Sequence, residues 1–67
     1  MLHITVNGEP RTIETASTVA SLIARLDVAG KRYAVERNGE IVPKSQHGQT
    51  RLADGDTLEV VIAVGGG

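Results

Sequence analysis

The sequence has no Cys, no Trp and no Phe, one Tyr and two Pro among its 67 residues. Without Cys there is no disulfide framework, no thiolate metal site and no cysteine nucleophile, which excludes thiol redox chemistry and the common structural zinc sites. A single aromatic offers no stacking platform for nucleobases. Lys and Arg number 7 against 8 Asp and Glu, a formal charge of -1 that sets up no basic field for phosphate backbones, so nucleic acid is not expected as a partner. No apolar run approaches the roughly 20 residues that span a bilayer. The start, Met1-Leu2-His3-Ile4-Thr5-Val6, lacks the basic region, long apolar stretch and small-residue cleavage site of a signal peptide. A soluble, cytoplasmic protein with no membrane partner is the expectation. A chain this short buries only about 60% of its unfolded surface, and one aliphatic core of this size leaves a margin of about 3–5 kcal/mol.

What is present has a clear order. Leu2, Ile4 and Val6 alternate with His3 and Thr5, the period of a strand with one buried face, and Asn7-Gly8 is a tight-hairpin turn. Residues 10–14 hold only Ile13 as a strong apolar residue, so they read as a polar edge strand in which Pro10 removes no needed ladder bond. Val19, Leu22, Ile23 and Leu26 then fall on one stripe of a helix, with Ser17 or Thr18 as its cap and Gly30 as its stop. Residues 33–37 and 40–43 flank Asn38-Gly39 and predict a second short reversal. Residues 44–51 have no period and read as a loop with a short helical turn, and Asp54-Gly55-Asp56 is another turn. Residues 57–64 form the longest apolar segment, expected as a central strand covered over part of both faces.

One helix for one sheet face means an α+β arrangement, a mixed sheet of about five strands packed on one main helix. With the two most apolar strands, the first and last, side by side at the centre, the layout is the β-grasp, or ubiquitin-like, fold. Residues 1–64 form that domain, and residues 65–67 are expected as a flexible C-terminal glycine tail.

Gly65, Gly66 and Gly67 have no side chain to bury and lose the most entropy on ordering, so they add nothing to the fold. Glycine is, however, the narrowest chain and takes φ values closed to other residues, so it can thread a tight channel. Three extended residues reach about 10 Å. What they deliver is the Gly67 carboxylate, which becomes an electrophile once an enzyme transfers AMP to it, with no Cβ on Gly66 or Gly67 to block attack. A frayed, glycine-rich end with no chemistry is the plain alternative.

The chain resembles the ThiS group of sulfur carrier proteins over essentially its full length. The residues that carry this are the glycine tail, Asn7-Gly8, Thr18-Val19 with Leu22, Val35-Glu36-Arg37-Asn38 leading to Glu40-Ile41-Val42-Pro43, and Asp54-Gly55-Asp56. The resemblance implies that a ubiquitin-activating-type, ThiF-like adenylyltransferase uses ATP to adenylate Gly67. A sulfur donor such as a cysteine desulfurase system then yields a terminal thiocarboxylate, and a ThiG-like thiazole synthase takes the sulfur for the thiamine thiazole ring. In that account the chain is a co-substrate, not an enzyme, binds no cofactor itself and is a monomer when free. A core of 67 residues also leaves little room for the ~300–1,000 Å³ of a usual small-molecule pocket. Family members often carry an aromatic near the position of His47, and some carry one where this chain has Ala63; these departures bear on docking, not on the carboxylate.

Other motifs are weaker. His3 and His47 are far apart and form no ligand motif, so they are expected as exposed strand and loop residues. Asp54-Gly55-Asp56 lacks the remaining ligands of a calcium loop. The isolated Gly8, Gly30, Gly39, Gly48 and Gly55 make no phosphate loop, so ATP must sit on a partner. Ser17, Ser21 and Ser45 have no paired base. With Leu58, Val60 and Ile62 facing the helix, Val61 and Ala63 lie on the opposite face, which with Val64 is expected to dock on the enzymes that take the tail. Two other functions stay open: a carrier for molybdopterin or another sulfur-containing product, and a ubiquitin-like protein modifier.

Overall fold

The computed structural model describes residues 1–28 and 30–63. Five strands and one helix follow in the order β1 (Leu2–Val6), β2 (Glu9–Ile13), α1 (Val19–Arg25), β3 (Tyr33–Arg37), β4 (Glu40–Val42) and β5 (Thr57–Ile62), with a 3₁₀ turn at Lys44–Gln46. The sheet order is β2-β1-β5-β3-β4. Strands β1 and β5 run parallel at the centre, and every other pairing is antiparallel. This is the expected β-grasp layout.

Both hairpins turn on Asn-Gly. Asn7 and Gly8 have φ of 51° and 82°, and Asn38 and Gly39 have 51° and 87°. Two successive left-handed residues make the turn whose twist matches the flanking strands, and Asn and Gly occupy that region at least cost. Pro10 sits on the edge strand opposite Thr5, where its missing N–H costs no inner ladder bond.

Helix α1 begins in a reciprocal cap. The Ser21 N–H donates to Thr18 Oγ1 at 3.2 Å, and the Thr18 N–H donates to Ser21 Oγ at 3.2 Å. Two of the remaining free helix N–H groups, those of Val19 and Ala20, donate to the carbonyls of Thr50 and His47, each at 2.9 Å. The aperiodic stretch after β4 therefore closes the helix start. At the other end the helix stops sooner than its stripe suggests: Leu26 is extended, with φ -93° and ψ 147°. That departure lets Val28 reach the core, while Gly30, with φ 79°, turns the connection beyond and does not cap the helix.

Seven residues of helix hold only by packing. Val19, Leu22 and Ile23 lie against Ile4, Val6, Ile13, Val35, Leu58 and Val60, with Val28 and Leu52 closing the flanks. The expectation that β5 is covered on part of both faces is not met. Leu58 and Val60 are buried, whereas Thr57, Glu59 and Val61 are exposed, because the single helix covers one face and the described residues place no second layer over the other.

Candidate docking face and glycine tail

Strand β5 links the core to the tail. On the side of β1, the Thr5 N–H donates to Asp56 O at 3.0 Å and the Asn7 N–H to Leu58 O at 2.9 Å. The chain then turns away at Gly8, and the Asn7 side chain takes over the ladder. Its Oδ1 accepts from the Val60 N–H at 2.8 Å and its Nδ2 donates to Val60 O at 3.3 Å. On the other side β5 pairs with β3 from Leu58 opposite Arg37 to Ile62 opposite Tyr33, and the Ala63 N–H donates to Arg32 O at 2.9 Å. The strand is thus held on both sides as far as Val60, and from the β3 side alone through Ile62 and Ala63.

The start of β5 is fixed by Asp56. Its carboxylate accepts from Arg37 Nε at 2.8 Å, Asn38 Nδ2 at 3.0 Å and the Ala53 N–H at 2.8 Å. Burial pushes this carboxyl up, but these hydrogen bonds and the Arg37 charge outweigh burial and hold it below its ordinary value. Asp54, two residues earlier, is exposed and accepts from the His3 N–H at 2.7 Å; that bond, more than the nearby His3 ring at 3.4 Å, lowers its pKa. The turn is structural, and Asp56 is its anchor.

Val61 is 56% exposed, and Ala63 is exposed as well. Both lie where the alternation of β5 places them, away from α1. Val61 stands opposite Ala34, and Ile41, also exposed, adds an apolar residue on β4 across from Glu36. Ala34 and Ile41 escape a reading of β5 alone, because they join Val61 only through the sheet register. Val64, Gly65, Gly66 and Gly67, named for docking, threading and sulfur attachment, lie outside the described residues.

The two histidines behave differently. His3 is exposed beside Asp54, as expected, but His47 is buried. Its Nε2 is 3.1 Å from Val42 O, and its ring stacks on Tyr33 with centroids 6.1 Å apart. This corrects the expectation of an exposed loop residue. The 3₁₀ turn before His47 swings the ring under β4, where it fills space and meets a strand carbonyl. Among the described residues no three His, Asp or Glu side chains gather to hold a metal. One hollow among the described residues, about 360 Å³, is an open groove between the end of α1 and Tyr33, lined by Leu26, Val28, Lys31 and Lys44 among others. It is larger than the core size suggests, but the described residues that line it include no carboxylate and no His. No helix of the described residues is long and apolar enough to cross a membrane.

The ThiS family model matches residues 4–67. The sulfur carrier protein ThiS of Bacillus subtilis is 40% identical over 50 residues, covering 75% of this chain and 76% of that protein. A thiazole synthase of Paramagnetospirillum magneticum is 46% identical over 66 residues, which is 98% of this chain and 20% of the synthase. The chain thus spans about a fifth of the length of that relative, as it does of a second thiazole synthase from Magnetococcus marinus. The crystal structure of the thiamine biosynthesis protein ThiS from Geobacter metallireducens superimposes with a TM-score of 0.82 at 35% identity, covering 98% of this chain and all of that one. With the family match, the fold and the run into the glycines in agreement, the chain belongs to the ThiS family.

Proposed function

We propose that this protein is a sulfur carrier for thiamine biosynthesis, a co-substrate and not a catalyst, working in the cytoplasm. The observation that carries the reading is the ThiS family match through residue 67, which takes in Gly65, Gly66 and Gly67. The Gly67 carboxylate attacks the α-phosphorus of ATP on a ThiF-like adenylyltransferase, and pyrophosphate leaves. The outer sulfur of a persulfide on a donor such as a cysteine desulfurase system then attacks the carbonyl carbon and AMP departs, leaving an acyl disulfide; a thiol reductant attacks the donor-side sulfur, carries it off as a disulfide, and a thiocarboxylate remains. Thiazole synthase accepts that sulfur; relatives named thiazole synthase that contain a segment like this whole chain support that partner.

Rigid β5 aims the chain outward, Gly65 and Gly66 thread the partner's channel, and Val61, Ala63 and Val64 rest on its surface beside the entrance. The family favours this carrier over a molybdopterin carrier or a protein modifier. Deletion of Gly67 tests the core of the proposal. The shortened protein should fold normally and support no ATP–pyrophosphate exchange with the adenylyltransferase of the same cell. Undiminished exchange would overturn carboxylate delivery. Intact mass of the protein from its native cell should show one oxygen replaced by sulfur at the terminus; adducts to lysine instead would identify a modifier.

A further inference from the structure

Both asparagines of the chain, Asn7 and Asn38, are followed by glycine, and both pairs form exposed hairpin turns. Each asparagine also fastens β5 with its carboxamide. Asn7 Oδ1 accepts from the Val60 N–H at 2.8 Å, and its Nδ2 donates to Val60 O at 3.3 Å. Asn38 Oδ1 accepts from the Thr57 N–H at 2.9 Å, and its Nδ2 donates to the Asp56 carboxylate at 3.0 Å. The glycine that follows each one leaves its own backbone nitrogen bare. A Cβ on Gly8 or Gly39 would have no neighbour within 4 Å, and among the described residues no hydrogen bond engages either N–H.

We propose that Asn7 and Asn38 are deamidation sites, that their grip on β5 holds the reaction back in the folded chain, and that Asn7 reacts first. The Gly8 nitrogen gives its proton to hydroxide and attacks Asn7 Cγ. A C–N bond forms, the Cγ–Nδ2 bond breaks, and Nδ2 takes a proton from water and leaves as ammonia. Water then opens the five-membered imide at either carbonyl, which gives aspartate or isoaspartate. The sum is amide plus water to carboxylate plus ammonium, with no change of oxidation state, and Gly39 acts on Asn38 in the same way. Attack requires Cγ to swing onto the glycine nitrogen, so a carboxamide pinned to β5 has to let go first. The pins differ in strength. Asn38 donates to an ionised acceptor, and such hydrogen bonds are roughly twice as strong as neutral ones; the bond from Asn7 Nδ2 is longer and meets a neutral carbonyl. The products undo what the amides did. At position 38 a carboxylate replaces a donor beside Asp56, so two like charges face each other at the start of β5. At position 7 isoaspartate routes the main chain through one extra carbon and withdraws the side group from Val60, as far as β5 is held from the β1 side. Each opening of the fold therefore exposes β5 to the permanent loss of a fastening.

The test is peptide mass mapping of the full chain aged at mildly alkaline pH, native and in urea. In urea both asparagines should convert at similar rates. In the native chain Asn7 should convert about 10-fold more slowly or less, since two hydrogen bonds must open first, and Asn38 more slowly still. Equal rates with and without urea would overturn the proposal, as would no conversion in urea or Asn38 converting ahead of Asn7 in the native chain. A second measurement addresses the product. Asn38→Asp should melt about 4 °C or more below the wild type, and that extra loss should shrink in an Asp56→Asn background. An unchanged melting temperature, or a loss indifferent to Asp56→Asn, would overturn the effect assigned to the new carboxylate. Neither measurement depends on the carrier function.

Discussion

Strand β5 has two faces that share one backbone and differ in everything else. Toward α1, Leu58 and Val60 are buried and fixed by the core; away from it, Glu59 and Val61 are exposed, and no second layer among the described residues covers them. One side of the strand is therefore constrained by stability and the other is free for recognition. A small single-helix fold makes this division unavoidable, since it has one layer to cover two sheet surfaces.

The sharpest way to break the buried side is Leu58→Ala. Removing a fully buried Leu costs about 2–5 kcal/mol, comparable to the whole margin of about 3–5 kcal/mol for a domain of this size. The variant should be largely unfolded at 37 °C by circular dichroism. Asp56→Asn comes next. It weakens the hydrogen bonds from Arg37 and Ala53 that anchor the start of β5, at a cost of about 1–3 kcal/mol in urea melts, because Arg37 is only partly exposed.

The same residue gives a pH test. Folding holds the Asp56 pKa below its ordinary value of 3.8, so its stabilisation is present above that value and is lost as pH falls through the lower folded one. The wild-type melting temperature should drop across that acid window, and Asp56→Asn should flatten the drop; an equally steep fall would show that other carboxylates carry the acid response.

Thr18→Ala should cost about 1 kcal/mol by opening the reciprocal cap with Ser21. The smallest change in stability is expected on the open side. Val61→Asp should stay within about 0.5 kcal/mol of wild type, yet thiocarboxylate formation should fall. Unchanged formation in a folded Val61→Asp protein would mean that the open face takes no part in docking.

Much of this was legible in the residue pattern. The two apolar strands at the sheet centre, the two Asn-Gly turns, the polar edge strand with Pro10 and the cap at Thr18 all depend on local chemistry, and local chemistry is written in short stretches of chain. What escaped depends on contacts made across the fold. His47 stands in a polar segment, and only the 3₁₀ turn carries it under Val42. Asp56 looks like any turn aspartate until β3 brings Arg37 to it. Val28 and Leu52 lie outside any periodic run, and they are buried because the helix stops at Arg25 and the loop before β5 folds back to Ser17. At the candidate site, Val61 and Ala63 follow from alternation along one strand. Ala34 and Ile41 require the register between strands, which the pattern of one strand does not contain.

The parallel pairing of β1 with β5 has a mechanical consequence. The chain enters β1 at one end of the sheet and leaves β5 at the other, so tension between those two ends pulls the central strands lengthwise past each other. The Thr5 bond to Asp56, the Asn7 bond to Leu58 and the clasp of the Asn7 side chain on Val60 lie in a row across that interface. They must yield together, in shear, and cannot be peeled one at a time. A pull along β5 therefore loads all of these bonds at once.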